Sequence, residues 1–230
     1  MADTGDVLPT QETFDTAVQA INTVRARSLA SPDDFWKNIS EELFWSEKTD
    51  SIFEELETPP YGKWFSDWKT NITYNALDRQ VKTWRKNKVA YYWEGEDGSS
   101  RVLSYGQLYK EVCKFSNALK KMGVGKGDRV TIYLPMIPEL PIAMLATLRL
   151  GAIHSVIFAG FTAQAIADRV NDSSSKVIIT ADGAFRRGKL IHLKFIVDEA
   201  LKQTTSVENV IVVKRAANEI VMDKDRDSWY

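Results

Sequence analysis

Four short apolar runs, at residues 130–134, 152–158, 177–180 and 210–213, alternate with three stretches of helical spacing, at 139–150, 162–171 and 190–203. Each run is short enough for a strand and unbroken enough to be buried on both faces, as the strands of a parallel sheet read. Parallel neighbours cannot be joined by a tight turn, and the intervening stretches supply the crossover helices they need. The pattern predicts an α/β fold built on an open, mostly parallel sheet. In such a sheet ligands collect beyond the carboxyl ends of the strands, so the loops after each strand are where chemistry is sought.

Ahead of the sheet, Tyr91, Tyr92 and Trp93 read as a strand, residues 95–100 as a polar turn, and Arg101 to Leu103 as the returning strand of a hairpin. Ser104 with Gln107 three residues on makes a capping box. The helix it opens carries Leu108, Val112, Phe115 and Leu119 on one stripe, turns a lysine-rich face to solvent and should stop at Gly123. Residues 1–90 have a different texture, with Trp36, Trp45, Trp64, Trp68 and Trp84 set among charges and no long strand pattern. That part predicts helices and loops, with Asp33 capping a short helix through Phe35, Trp36 and Ile39. Pro59, Pro60 and Gly62 should break the chain there, and aromatics this dense should bury against a partner surface.

The expected division is a helical and aromatic region at 1–90 followed by an α/β domain at 91–230. Segment 216–230 loses the strand and helix rhythm, and the last apolar run has no covering helix after it. Four strands are few for a finished sheet, so the expectation is a chain that stops inside a larger domain.

A formal net charge of −1 leaves no overall basic field to draw the chain onto nucleic acid or an acidic membrane. The single cysteine, Cys113, can form neither an intrachain disulfide nor a thiolate cluster, and a reducing, cytoplasmic setting fits it best. No apolar run is long enough to span a membrane, and the first residues are acidic and polar where a secretory signal would be basic and then apolar. His154 and His192 have no acidic or cysteine partner at metal-ligand spacing, Cys113 reads as an inert thiol beside the helix stripe, and Glu41, Glu42, Glu54, Glu55 and Glu57 read as a solvated face.

Two strand-end loops hold the candidate site. In the first, Phe158 to Thr162, Gly160 either lets a ligand approach the backbone or only makes the turn, and Thr162 can cap the next helix. In the second, 181–189, Arg186, Arg187 and Lys189 stand together just before a helix, either to grip a phosphate or as a solvated basic turn.

Residues 71–79, with Asn71, Tyr74, Asp78 and Arg79, resemble the signature near the start of short-chain acyl-CoA synthetases. Gly125, Lys126, Gly127, Asp128, Arg129, Val130 and the following Tyr133 to Met136 are similar to the first core strand of the adenylate-forming superfamily. The run from Gly151 through His154 and Phe158 to Phe161 is similar to the AMP-forming acetyl-CoA synthetases in particular, and 172–182 continues the match. The resemblance covers about residues 35–198.

It implies the N-terminal part of an acetate–CoA ligase, in which a carboxylate attacks the α-phosphate of ATP, pyrophosphate leaves and the CoA thiolate takes the acyl group. Its substrates would be acetate, ATP with Mg2+, and CoA. Gly160 matches the family glycine beside the pantetheine arm, and Arg186 an arginine near the nucleotide end of CoA. Lys189 stands where the family has a second arginine, a departure that keeps the charge and loses the planar fork. The family's Ser/Thr/Gly-rich phosphate loop is not among these residues, so the ATP and Mg2+ sites and the rest of the ligase are expected downstream. A non-catalytic CoA-binding module and a ligase for propionate or another short acid are the alternatives. An unrelated Rossmann binder is disfavoured because no GxGxxG follows a strand.

Overall fold

The computed structural model describes residues 10–58 and 61–230, so Pro59 and Pro60, expected to break the chain, lie outside the described residues. The chain forms two compact units, divided between Thr70 and Asn71, while the tryptophan-rich texture of the sequence runs on past that division to about residue 90.

The first unit opens with α1 (Gln11–Ala30), capped by the Thr10 hydroxyl, which accepts the Thr13 N–H. Next comes α2 (Pro32–Ser40). Its N-cap is Ser31 and not Asp33; Pro32 suits the first turn because its φ is already helical, and Asp33 and Asp34 then lie where a carboxylate favours the helix dipole. Strands β1 (Phe53–Glu55) and β2 (Gly62–Trp64) pair antiparallel. The aromatics here pack on one another: Trp45 meets Trp68 edge-on at 5.0 Å, and Trp64 lies 4.6 Å from Phe53 and 5.8 Å from Trp36. Trp36, Phe53 and Trp64 nevertheless stay exposed, and so do the five glutamates read as a solvated face.

In the second unit, a π-helical turn (Tyr74–Asp78) runs into α3 (Arg79–Val81) and a 3-10 turn (Trp84–Asn87). The hairpin β3 (Val89–Glu94) and β4 (Ser100–Ser104) leads to α4 (Tyr105–Lys121). Both halves of the capping box form, and Leu108, Val112, Phe115 and Leu119 are buried. Gly123, just past the helix, takes φ +80°, a conformation only glycine adopts cheaply. The sheet strands and their helices follow: β5 (Arg129–Ile132), α5 (Glu139–Arg149), β6 (Ile153–Val156), α6 (Ala163–Ser173) and β7 (Val177–Ala181). After them come the hairpin β8 (Ala184–Arg186) and β9 (Lys189–Ile191), then α7 (Leu193–Leu201), β10 (Asn209–Val213) and β11 (Asp227–Trp229).

Five strands make the sheet, in the order β11-β10-β7-β5-β6, and every neighbouring pair is parallel. From β5 the chain steps to β6 on one side, then crosses back over β5 to β7 and continues outward through β10 to β11. Right-handed crossovers running in opposite directions place their helices on opposite faces, so α5, with α4 beside it, covers one face while α6 and α7 cover the other. The direction of winding reverses between β5 and β7. That switch point opens a crevice at the strand ends.

Three further expectations are corrected. The run at 152–158 is an edge strand, β6, with Ile153 and Val156 exposed, because nothing among the described residues pairs with its outer side. Residues 190–203 are not one helix: β9 ends at Ile191 and α7 begins at Leu193. Segment 216–230 contains a strand, β11, hidden from the pattern because charge anchors it. Lys194 Nζ, 1% exposed, lies 2.7 Å from Asp198 and 2.8 Å from the buried Asp227, and it donates to the Val221 carbonyl at 3.1 Å. Arg226 closes the circuit, 2.7 Å from Asp227 and 3.1 Å from Asp198.

The signature at 71–79 is a clamp on α5. Asn71 donates to the carbonyls of Leu148 and Arg149, Thr73 to that of Leu145, and Asp78 receives both guanidinium nitrogens of Arg149 at 2.7 Å. Among the described residues no helix is long and apolar enough to cross a membrane.

Candidate functional site

At the switch point, a cleft of about 260 Å³ lies between the loop after β5, the loop after β6, the β8–β9 hairpin and the tip of the β3–β4 hairpin. Trp93, Glu96, Met136, Phe158, Arg186 and Arg215 are among its walls. A larger cavity, about 520 Å³, lies beside α7 at His192, Phe195 and Val221 and holds none of the expected contact residues. The smaller cleft is the better candidate, since the sheet reverses its winding there and the cations stand at its mouth.

Two tethers build the floor. Tyr133, buried at the end of β5, donates its hydroxyl to the Phe161 carbonyl at 3.0 Å; burial pushes that phenol up to about 12, so it stays protonated as a donor. Thr162 caps α6 by accepting the Ala165 N–H. Between them, Gly160 leaves open the space that a side chain would take from its neighbours. A Cβ there would lie 2.7 Å from Arg186 Nη1 and 2.8 Å from Phe158 Cε1, closer than real Cβ atoms come. The Arg186 guanidinium crosses in front of this glycine, 5.0 Å above the Phe158 ring.

The structure thus brings Gly160 and Arg186 into contact, and Lys189 stands opposite Arg186 in the hairpin register. Residues 184–191 are a hairpin rather than the basic loop expected before a helix. Arg187 and Gly188 both take positive φ, 53° and 71°, the two-residue turn whose twist suits paired strands. Arg186, Arg187 and Lys189 are exposed, and no carboxylate among the described residues pairs with their side chains.

The sequence did not reveal what holds this hairpin. Glu96, from the tip of β3–β4, accepts the Arg187 N–H at 2.8 Å and, through its other oxygen, the Gly188 N–H at 3.4 Å. Next to it, Arg215 reaches Asp97 at 2.9 Å while its guanidinium lies over Trp93 and Phe185, at 5.2 and 5.6 Å. Hydrogen bonds from Arg215, then from Ser99, hold the Asp97 carboxyl well below the usual carboxylate range. Behind them Asp182, fully buried at the end of β7, accepts the N–H groups of Gly183, Arg215, Ala216 and Ala217 at 2.7–2.9 Å. An acid before a glycine at a strand end was the one available signal. Nothing in the sequence connects Glu96 to residues 187 and 188.

An aromatic-walled cleft with unpaired cations at its mouth suits an elongated ligand with an anionic end. The described residues bring no three His, Cys, Asp or Glu side chains together that could hold a metal.

Comparison with known proteins fits this geometry. The family described as "AMP-binding enzyme" matches residues 77–229, and "Acetyl-coenzyme A synthetase N-terminus" matches 21–76. The chain is 52% identical over 205 residues to an acetyl-coenzyme A synthetase of Chlorobaculum tepidum, covering 89% of this chain and 31% of that protein. It is 45% identical over 224 residues to one of Pyrobaculum aerophilum, covering 94% and 33%. Identity to a 3-hydroxypropionyl-coenzyme A synthetase of Sulfurisphaera tokodaii is 49% over 208 residues, covering 89% and 31%. Among solved structures, acetoacetyl-CoA synthetase from Streptomyces lividans superposes with a TM-score of 0.79 at 27% identity, covering 87% of this chain and 31% of that one. The chain therefore spans about a third of the length of the curated relatives it matches.

Proposed function

Since the chain belongs to the AMP-binding enzyme family, we propose that it forms the N-terminal part of an AMP-forming acetate–CoA ligase and supplies one wall of the CoA site. In that reaction acetate attacks the α-phosphorus of ATP, pyrophosphate leaves with the broken bond's electron pair, and the CoA thiolate then displaces AMP from the acetyl adenylate. On this reading Gly160 leaves room for the pantetheine arm, Arg186 meets the nucleotide end of CoA, and Lys189 adds charge to the same end. ATP and its magnesium belong to the family's phosphate loop, a motif these 230 residues do not contain, so no adenylation step is assigned to a side chain here. Residues 1–90 are then the family's N-terminal region and 91–230 the opening of its adenylate-forming domain. The partners are small molecules rather than nucleic acid or membrane, and the setting is cytoplasmic.

The contact between Gly160 and Arg186 carries the reading. It joins two residues 26 positions apart at the strand ends, where a ligand of an open sheet belongs. A second reading, a CoA-binding module without chemistry, draws on the cleft itself, which offers cations and aromatic walls. Two measurements on the 230-residue chain test them. Calorimetry with CoA should show binding that Arg186→Ala weakens; a folded chain giving no heat removes both readings of the cleft. Pyrophosphate release with acetate, ATP, magnesium and CoA should be absent, and turnover would remove the module reading. Acetate is proposed as the acid, and the 3-hydroxypropionyl relative makes another short acid the first competitor to assay on a full-length ligase.

A further inference from the structure

We propose that Glu96 is a positioning residue for the anionic end of the ligand: it clasps the β8–β9 turn so that Arg186 and Lys189 are held ready at the cleft mouth. This rests on the reading of the cleft as part of a CoA site.

The turn is an unusual place for a carboxylate. Arg187 and Gly188, in left-handed conformations, point two successive N–H groups the same way, and such pairs attract anions. Glu96 takes them both, one with each oxygen, from a hairpin 91 residues earlier in the chain. Three cations stand in or beside the turn, yet the carboxylate binds backbone and leaves their side chains without a carboxylate among the described residues. A glutamate that served to neutralise the patch would pair with a guanidinium or ammonium instead. What this geometry fixes is the path of the hairpin backbone.

That path determines where the cations stand. The hairpin is only three residues a side, with Arg186 opposite Lys189 immediately before and after the turn, so a shift of the turn moves both. The Arg186 guanidinium is also placed by its neighbours, lying over the Phe158 ring and close to the bare Cα of Gly160. The Arg215 contacts hold the base of the same hairpin through Phe185, and Glu96 holds its tip. A hairpin fixed at both ends presents its charges without first ordering them, which is how pre-organisation adds affinity.

The proposal makes a prediction of sign. By charge alone, removing an anion beside three cations should tighten the binding of a phosphorylated ligand. By clasping, it should weaken it. With CoA as the probe, titrated calorimetrically into the 230-residue chain, Glu96→Ala should raise Kd by about fivefold, the cost of re-ordering one or two long side chains on binding. Glu96→Gln, which keeps an acceptor for the Arg187 N–H, should fall between Ala and wild type. Dephospho-CoA, which lacks the 3′-phosphate, should lose much less with Glu96→Ala, whereas general damage to the fold would weaken both ligands alike. Equal or tighter CoA binding by Glu96→Ala, or equal losses for the two ligands, overturns the clasp while leaving the CoA reading intact. No CoA binding by the folded wild-type chain overturns that reading and the clasp together.

Discussion

Two groups of charge, which approach one another in the chain at Lys189 and Lys194, have opposite fates. Lys194, Asp198, Arg226 and Asp227 form a closed circuit in which every charge meets an opposite one, and Lys194 and Asp227 are removed from solvent. Arg186, Arg187 and Lys189, just ahead of Lys194, face solvent with no carboxylate of the described residues on their side chains. Burying an unpaired charge costs far more than a solvated one, so the first group can exist only with its partners in place, and its role is to fasten β11 and the preceding loop to α7. The second has left its hydrogen-bonding capacity free at the mouth of a cleft. Completeness of pairing, more than the charge itself, separates the structural cluster from the one proposed to meet a ligand.

Breaking the closed circuit should give the largest effect. Lys194→Ala leaves a buried Asp227 short of a cation and should cost about 3–5 kcal/mol in urea unfolding. In conditions where the variant stays folded, its CoA affinity should be unchanged. An affinity loss with the fold intact would mean that the two clusters are not independent. The same circuit predicts a pH dependence. Burial raises the Asp227 carboxyl, but hydrogen bonds from Arg226, Lys194 and the Asp223 N–H outweigh it and hold the group below its ordinary 3.8. A depressed carboxyl stabilises the fold above its unfolded value and loses that contribution as pH falls through the folded one. Unfolding midpoints should therefore drop below about pH 3.8, and the acid limb should be shallower in Asp227→Asn. An unaltered limb would show that the circuit does not titrate with folding.

The same contrast explains what could be read from the sequence. The runs that became β5, β7 and β10 were legible because their burial is apolar on both faces and so shows as an unbroken run, and the capping box at Ser104 because its two bonds are local. Strand β11 was hidden because Asp227, Ser228 and Trp229 carry no apolar run; its anchor is Lys194, one position along a helix that reads as amphipathic. Asn71 and Asp78 stood out only by resemblance, and the structure gives them a physical task, closing the last carbonyls and the arginine of α5. In the site, Gly160 and Arg186 could be named separately, but their contact depends on strand order, which periodicity does not fix. Glu96 and Arg215 could not be named at all. Each acts across elements far apart in the chain, and neither residue type is rare enough to be noticed.

Within the open cluster, Gly160→Ala tests the steric half of the site. The added methyl would meet Arg186 and Phe158 and must push the guanidinium aside. On the proposed reading, a guanidinium moved away from the CoA phosphate would forfeit a charge-assisted hydrogen bond, a loss of roughly tenfold in CoA affinity. Stability should hardly change, because the displaced side chain is exposed. A large drop in the unfolding midpoint with affinity preserved would make Gly160 a packing glycine and nothing more.

Lys189→Arg should have the smallest effect, and its sign carries the information. Both side chains are cations, so the field at the cleft mouth is the same, and on the exposed β9 strand neither has packing to lose. What changes is geometry: lysine meets a phosphate as a mobile point charge, arginine with a planar pair of donors. If Lys189 and Arg186 grip one phosphate from the two sides of the hairpin, the fork should tighten CoA binding by about two- to threefold, a fraction of one charge-assisted bond. Dephospho-CoA should show no such gain. Equal affinity for CoA before and after the change would mean that Lys189 contributes only field, and that Arg186 holds the anionic end alone.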